Sequence, residues 1–333
     1  MKAFAIDKYG SNDNVRAVQV PDPRLRDDDV LVEIHAASIN PLDAKIRDGK
    51  VKPILPYRLP LILGNDLAGV VVRVGSAVRR FKPGDQVYAR PDQHRIGTFA
   101  ELISIKQDDV ALKPTGLTMD EAASLPLVAL TAWQALVERA DLKPGQTVLI
   151  HAGSGGLGSI AIQLAKHLGA AVATTTSTAN VESVKRLGAD IVIDYRNTDF
   201  EAVLSDYDVV LDTLGGDTLK KSFGVLKRGG KLISVAGPPD PAFAKKAGLN
   251  PILRQATRVL SYPTRRTAKR HRVSYSFLWM RASGDQLAKI APLVDAGIIR
   301  PVIDRVFPFE CTKEALAYVD QGRAKGKVIV TMR

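Results

Sequence analysis

Cysteine is almost absent: the 333 residues contain one, Cys311. A lone thiol excludes an internal disulfide and a cysteine-based zinc site, which needs several thiolates or imidazoles at short spacing. The five histidines, His35, His94, His151, His167 and His271, are scattered, and none has the spacing of a metal site or a nucleophile–base pair. No apolar run is long enough for a transmembrane helix, and MKAFAIDKYG lacks the apolar core and small-residue cleavage site of a secretory leader. The sequence therefore predicts a cytoplasmic protein with no membrane anchor. Aromatic residues are few, at 6%, but they run from Phe4 to Tyr318, and with 45% hydrophobic and 25% charged residues they exclude a disordered chain. Repeats and low-complexity linkers are missing too.

Acidic residues are missing from one stretch, 245 to 272, which carries Lys245, Lys246, Arg254, Arg258, Arg265, Arg266, Lys269, Arg270 and Arg272, within a chain of net charge +12. An anionic cofactor, an acidic membrane surface or nucleic acid would suit it. The plainer reading is a solvated surface loop, and the absence of interleaved stacking aromatics argues against a single-strand binder.

What is present divides the chain in two. Residues 1 to about 120 read as short strands, KAFAIDKY, DVLVEIHAAS, DLAGVVVRVG, DQVYAR and TFAELISI, punctuated by Gly, Pro and Asp. From Leu125 the period changes: TVLIHAG is a buried strand, SIAIQLAKHLGA has helical spacing, and strand and helix alternate through KLISVAG. Such alternation predicts an α/β fold with a doubly wound parallel sheet. VSYSFLW fits a sheet edge, and the pieces after it are too few for a domain, so they should return to the amino-terminal one. The expected division is 1–122 with 284–333 for the β-rich domain and 123–283 for the dinucleotide-binding domain.

The sharpest motif is Gly153-Ser154-Gly155-Gly156-Leu157-Gly158, which places G-x-G-x-x-G between the strand TVLIHA and a helix. The tight turn, the approach of a diphosphate to backbone and the close packing of helix on strand each need glycine, and the helix start stabilises phosphate charge. An NAD site usually has Asp or Glu about 20 residues on, for the ribose 2′-hydroxyl. Here the second strand ends in Ser177, Thr178 and Asn180, with Tyr195 and Arg196 after the third strand. Hydroxyls and a basic group accept a 2′-phosphate that a carboxylate would repel, so NADPH is favoured over NADH. Glu182 lies a turn away.

Asn40-Pro41-x-Asp43, the block Gly64-Asn65-Asp66-Leu67-Ala68-Gly69 through Val74-Gly75, Phe81, Gly84-Asp85-x-Val87, Leu130-Thr131-Ala132-Trp133 and the glycine loop together resemble the zinc-free quinone oxidoreductases of the medium-chain dehydrogenase/reductase superfamily. LGNDLAG, YSFLWMRASG and DAGIIRPVID are most similar to its reticulon-interacting branch. The resemblance implies a GroES-like catalytic domain, a Rossmann domain and a homodimer that pairs Rossmann sheet edges. It also implies loss of the metal: Ser38 stands where zinc-dependent relatives have cysteine, and Asn65-Asp66 where they have His-Glu. Without a Lewis acid, the feasible chemistry is hydride delivery to an acceptor that is already electrophilic, a quinone or an α,β-unsaturated carbonyl. By the same resemblance, Asn40 and Tyr57 line the substrate pocket and Thr131 contacts the carboxamide. Ser154, Gly156 and Leu157 hold the diphosphate, and Ser177 and Tyr195 the 2′-phosphate. Leu214 and Gly237 flank the ribose and nicotinamide, with Phe277, Leu278 and Trp279 closing over it. An enoyl-thioester reductase, and a non-catalytic crystallin-like or RNA-binding protein using the basic stretch, remain alternatives.

Overall fold

A computed structural model describes residues 1–332. The chain divides into two compact units, residues 1–130 together with those from 281 on, and residues 131–280; the division falls inside the helix Pro126–Trp133.

The first unit is built around the eleven-residue strand Asp29–Ile39. It pairs antiparallel with Asp66–Val74, Leu102–Lys106 and Lys327–Thr331, within a seven-stranded sheet. Val30, Val32, Ile34, Leu67, Val71, Val87, Ile103 and Ile105 fill its core, following the alternation of the sequence. A smaller sheet joins Lys2–Ile6 to Val15–Gln19 and Leu61–Ile62. The register sets Ser38 opposite both Asp66 and Ile329, so the carboxyl-terminal strand starts beside the end of the long one. Asn40 then opens the helix Pro41–Arg47: proline at the first helical position fixes φ, and Asp43 accepts the Asn40 N–H at 2.7 Å.

The second unit is a six-stranded parallel sheet in the order Ile191–Asp194, Ala171–Thr176, Thr147–Ile150, Tyr207–Asp212, Leu226–Ser234, Ser274–Phe277. This is a doubly wound order with its switch point beside Thr147–Ile150, so the strands' carboxyl ends share one edge. VSYSFLW provides the edge strand. Leu149, Val210, Leu232 and Phe223 form the middle of the core.

The basic stretch is helical, which corrects the expected surface loop. Helices Pro241–Lys246, Pro251–Leu260 and Tyr262–His271 follow in succession. The local reason is visible in the residues: the side chains of Asp240 and Asn250 cap the first two helices by accepting from Phe243 N and Leu253 N, and each cap is followed by proline. Among the described residues no helix is long and apolar enough to cross a membrane.

Candidate active site

In the parallel-sheet unit, three consecutive threonines tie the glycine loop to the neighbouring strand. Thr174 Oγ1 donates to Ile150 O at 2.7 Å, Thr175 Oγ1 accepts from Ala152 N at 3.2 Å, and Thr176 Oγ1 donates to Ser154 Oγ at 3.0 Å. The glycines are demanded at two positions by close approach. A Cβ on Gly153 would lie 2.1 Å from Thr174 Oγ1, and one on Gly158 would lie 2.3 Å from Ala152 O and 2.7 Å from Gly153 Cα. Gly158→Ala is therefore expected to lower stability by about 1–3 kcal/mol, since both obstacles are backbone. Dinucleotide affinity should fall with it, and urea denaturation beside a cofactor titration checks both.

Gly155 is different. Its missing side chain would meet only Ala152 O, at 3.3 Å, and it caps the helix Gly156–His167 with no side-chain bond. The first-turn N–H groups of that helix have no side-chain cap, which suits a diphosphate. The residues present fit a dinucleotide.

Asn180 Nδ2 donates to Ser154 Oγ at 3.2 Å and to Ser177 Oγ at 3.1 Å, so the structure brings the two serines to one place. Tyr195 follows the strand Ile191–Asp194 and is 60% exposed, its N–H bonded to Thr176 O. An acid that the sequence reading passed over, Asp194, ends this third strand. Its carboxylate accepts from Thr178 Oγ1 and Asn197 Nδ2, each at 2.6 Å, and from Arg196 N at 3.1 Å. The Thr178 bond, first among these partners, holds that carboxyl below its ordinary pKa.

Two further strand-end residues were not anticipated. Buried Asp212 accepts from Leu214 N at 3.1 Å, Gly215 N at 2.9 Å and Ser234 Oγ at 2.6 Å, and Ser234 Oγ accepts in turn from Gly237 N at 2.7 Å. This relay fixes Leu214, which is otherwise exposed, and Gly237 just beyond the ends of two adjacent strands. Phe277 and Leu278 are buried at the edge strand: Phe277 N donates to Asp240 at 2.9 Å, and its ring packs edge-on to Phe243 at 5.2 Å.

His151, just before the loop, is fully buried between Thr175 Oγ1, 3.1 Å from Nδ1, and Ser222 Oγ, 2.9 Å from Nε2. Ser222 Oγ donates to Thr218 O at 2.6 Å, so it accepts from Nε2–H, and Thr175 donates to Nδ1. The imidazole is a neutral pin between strands and helix. Burial pushes it down to about 4 against the opposing pull of Asp212. Unfolded, the group takes a proton near 6.5, so the unfolded state binds more protons between those values. Stability should be full above that window and fall as pH drops through it; in His151→Asn, urea midpoints should lose this part of the slope.

In the β-rich unit, Asn40 and its neighbours form a buried polar cluster. Lys327 Nζ, on a side chain only 5% exposed, donates to Asn40 Oδ1 at 2.6 Å and to Asp66 Oδ2 at 3.2 Å. Asn40 Nδ2 donates to Asp66 Oδ2 at 2.9 Å, Ser38 Oγ to the same oxygen at 2.8 Å, and Leu127 N to Oδ1 at 2.7 Å. Asn65 Nδ2 bonds Asp43 at 2.7 Å, and Arg90 Nη2 reaches Asn65 Oδ1 at 3.3 Å. Burial pushes Asp43 up to about 6, opposed by the Asn65 and Asn40 bonds, and burial lowers Arg90. Lys327 and Arg90 escaped the sequence reading. Tyr57 lies in the loop before Leu61 and donates to Gln93 O at 2.7 Å; burial raises its hydroxyl well above the ordinary value, so it stays a phenol. Thr131 is buried in the helix Pro126–Trp133.

The Ser38, Asn65 and Asp66 cluster does not fit zinc. It presents a hydroxyl, an amide and one carboxylate rather than thiolate and imidazole donors, and the carboxylate oxygens are taken by an ammonium, an amide, a hydroxyl and a backbone N–H.

Comparison with known proteins gives a consistent set. The family described as "Alcohol dehydrogenase GroES-like domain" matches residues 26–115, and that described as "Zinc-binding dehydrogenase" matches residues 187–330. The chain is 37% identical to 2-methylene-furan-3-one reductase of Solanum lycopersicum, over 99% of its length and 79% of the relative's. It is equally 37% identical to the mitochondrial NAD(P)H oxidoreductase RTN4IP1 of Bos taurus, covering 100% and 89%. Among solved structures, the quinone oxidoreductase of Coxiella burnetii superposes with a TM-score of 0.87 at 33% identity, covering 100% and 99%. The Escherichia coli quinone oxidoreductase complexed with NADPH does so at 0.80 and 25%, covering 99% and 100%.

Proposed function

The chain belongs to the medium-chain dehydrogenase/reductase superfamily, and from that premise we propose that it is an NADPH-dependent reductase of quinones or α,β-unsaturated carbonyls that works without a metal. The observation that carries this reading is the Lys327 ammonium seated among Ser38, Asn40 and Asp66. With that cluster closed on itself, the acceptor must bring its own electrophilicity. The bound nucleotide supplies the hydride.

The residues of the chain bind and orient. Ser154, Gly156 and Leu157 cradle the diphosphate at the uncapped helix start, Ser177 and Tyr195 take the 2′-phosphate, and Gly153, Gly155 and Gly158 shape the loop. Leu214 and Gly237, held by the Asp212–Ser234 relay, flank the ribose and nicotinamide, with Phe277 and Leu278 beside them. Thr131 meets the carboxamide. In the β-rich unit Tyr57 lines the acceptor pocket, and Asn40, its amide engaged by Lys327 and Asp66, shapes that pocket's wall. A hydroxyl or water protonates the reduced acceptor.

The protein is further proposed to be cytoplasmic and homodimeric. The strand Ser274–Phe277 is paired on one side only, and its free edge suits a second copy. Light scattering would return twice the 36.0 kDa chain mass.

Fluorescence titration with NADPH and NADH, followed by oxidation of the bound nucleotide with 1,4-benzoquinone, an alkenal and a crotonyl thioester, tests the reading. NADPH preference with quinone or alkenal turnover supports it. Turnover confined to the thioester would make the chain an enoyl reductase, and NADPH binding with no turnover of any acceptor would remove catalysis from the reading.

A further inference from the structure

The helix Pro251–Leu260 leaves its apolar side uncovered. Ile252, Val259 and Leu260 are 80%, 64% and 63% exposed, and Tyr262 just beyond is 56% exposed. Ile252, Ala256 and Val259 recur at i, i+4 and i+7, so they form one stripe with Leu260 at its border. The inward side is occupied by Thr257, which is buried and bonds Arg254 O at 2.8 Å. Arg254 and Arg258 stand on the flank away from the stripe. The helices on either side add Lys245, Lys246, Arg265, Arg266, Lys269, Arg270 and, at the last cap, Arg272. None of these nine cations pairs with a carboxylate among the described residues. Their charge is not offset by any carboxylate partner among those residues, and it accumulates on the helix that carries the apolar stripe and on the two helices that flank it in sequence.

We propose that this face, formed by residues 241–272, docks on an anionic lipid surface. An amphipathic helix with bulky aliphatic side chains on one side and arginines on the other lies in a bilayer interface, burying the first and pairing the second with headgroups. A second copy fits poorly, because two-fold pairing of this face would bring nine uncompensated cations against nine more. A nucleic acid would use the cations but leave Ile252, Val259 and Leu260 in water, with Tyr262 the one exposed aromatic ring beside them.

The test is sedimentation of the full chain with phosphatidylcholine vesicles and with mixed phosphatidylcholine–phosphatidylglycerol vesicles, across a salt series. The protein should pellet with the mixed vesicles alone and be released as salt rises. The double variant Ile252→Ser/Val259→Ser should lose at least about tenfold in partitioning. Arg254→Glu/Arg258→Glu should lose the dependence on phosphatidylglycerol, and both should reduce a water-soluble quinone as the parent does, which establishes that they fold. Equal binding to both vesicle types, no binding to either, or unchanged partitioning of the serine variant would each overturn the proposal. So would a fall in oligomeric mass in the serine variant, which would assign the stripe to a second copy, or salt-sensitive retention of RNA by a protein that ignores vesicles.

Discussion

Lys327→Met is expected to destabilise the protein by about 3–5 kcal/mol, the cost of removing one partner from a buried ion pair. The ammonium is almost fully buried and reaches both Asn40 Oδ1 and Asp66 Oδ2. Without it Asp66 keeps bonds from Ser38, Asn40 and Leu127 but loses its charge partner, and Asn40 Oδ1 loses its donor. The effect reaches Asp43 as well. Burial already raises that carboxyl to about 6 and the Asp66 charge adds to the rise, while the Lys327 charge opposes it. In the methionine variant Asp43 should titrate higher still. A carboxyl whose folded pKa exceeds its unfolded one binds more protons folded, so this part of the stability is present below the unfolded value and lost as pH rises through the folded one. The variant should therefore be relatively less stable at neutral than at mildly acidic pH. Urea midpoints across that range, with Lys327→Arg as the charge-conserving control and Asp66→Asn completing a double-mutant cycle, measure the coupling. A methionine variant with the parent's midpoint would show that the pair contributes nothing to the fold.

The elements legible in the sequence were those whose signal is local. The glycine loop announces itself because strand, turn and helix lie within about twenty residues, and the parallel sheet because its strands recur at regular spacing. What stayed hidden depends on register between distant segments. Lys327 meets Asn40 across 287 positions, and only the antiparallel pairing of Lys327–Thr331 with Asp29–Ile39 sets them side by side. Asp212 and Ser234 are likewise partners through the register of two strands, though an acid closing the strand YDVVLD was a readable hint. Thr174 to Thr176 could have been noticed as well: three hydroxyls in a strand buried on both faces need acceptors, and Ile150, His151 and Ser154 provide them. The basic stretch was misread because charge dominated the reading, when Asp240-Pro241 and Asn250-Pro251 already marked two helix starts. The first unit division lies inside the helix Pro126–Trp133, a few residues past Leu125, where the period of the sequence changes.

Ser177→Asp should reverse the nucleotide preference, with NADPH affinity falling about 100-fold and NADH affinity changed little. Ser177 Oγ accepts from Asn180 Nδ2, and Ser154 Oγ accepts from both Asn180 and Thr176, so the two hydroxyl protons remain to be donated to an anion. Asp194, which ends the third strand, is already engaged by Thr178, Asn197 and the Arg196 N–H. A carboxylate at 177 would keep only the Asn180 amide as a partner, with no cation to neutralise it, and would face the 2′-phosphate. At about 5 Å and an effective dielectric near 20, repulsion between unit charges is about 3 kcal/mol, which corresponds to roughly 100-fold in affinity. NADH has a hydroxyl at that position, and a carboxylate accepts a hydrogen bond from it. Fluorescence titration of the variant with both nucleotides decides the matter: an unchanged NADPH affinity would move the 2′-phosphate away from Ser177, and with it the role proposed for Tyr195.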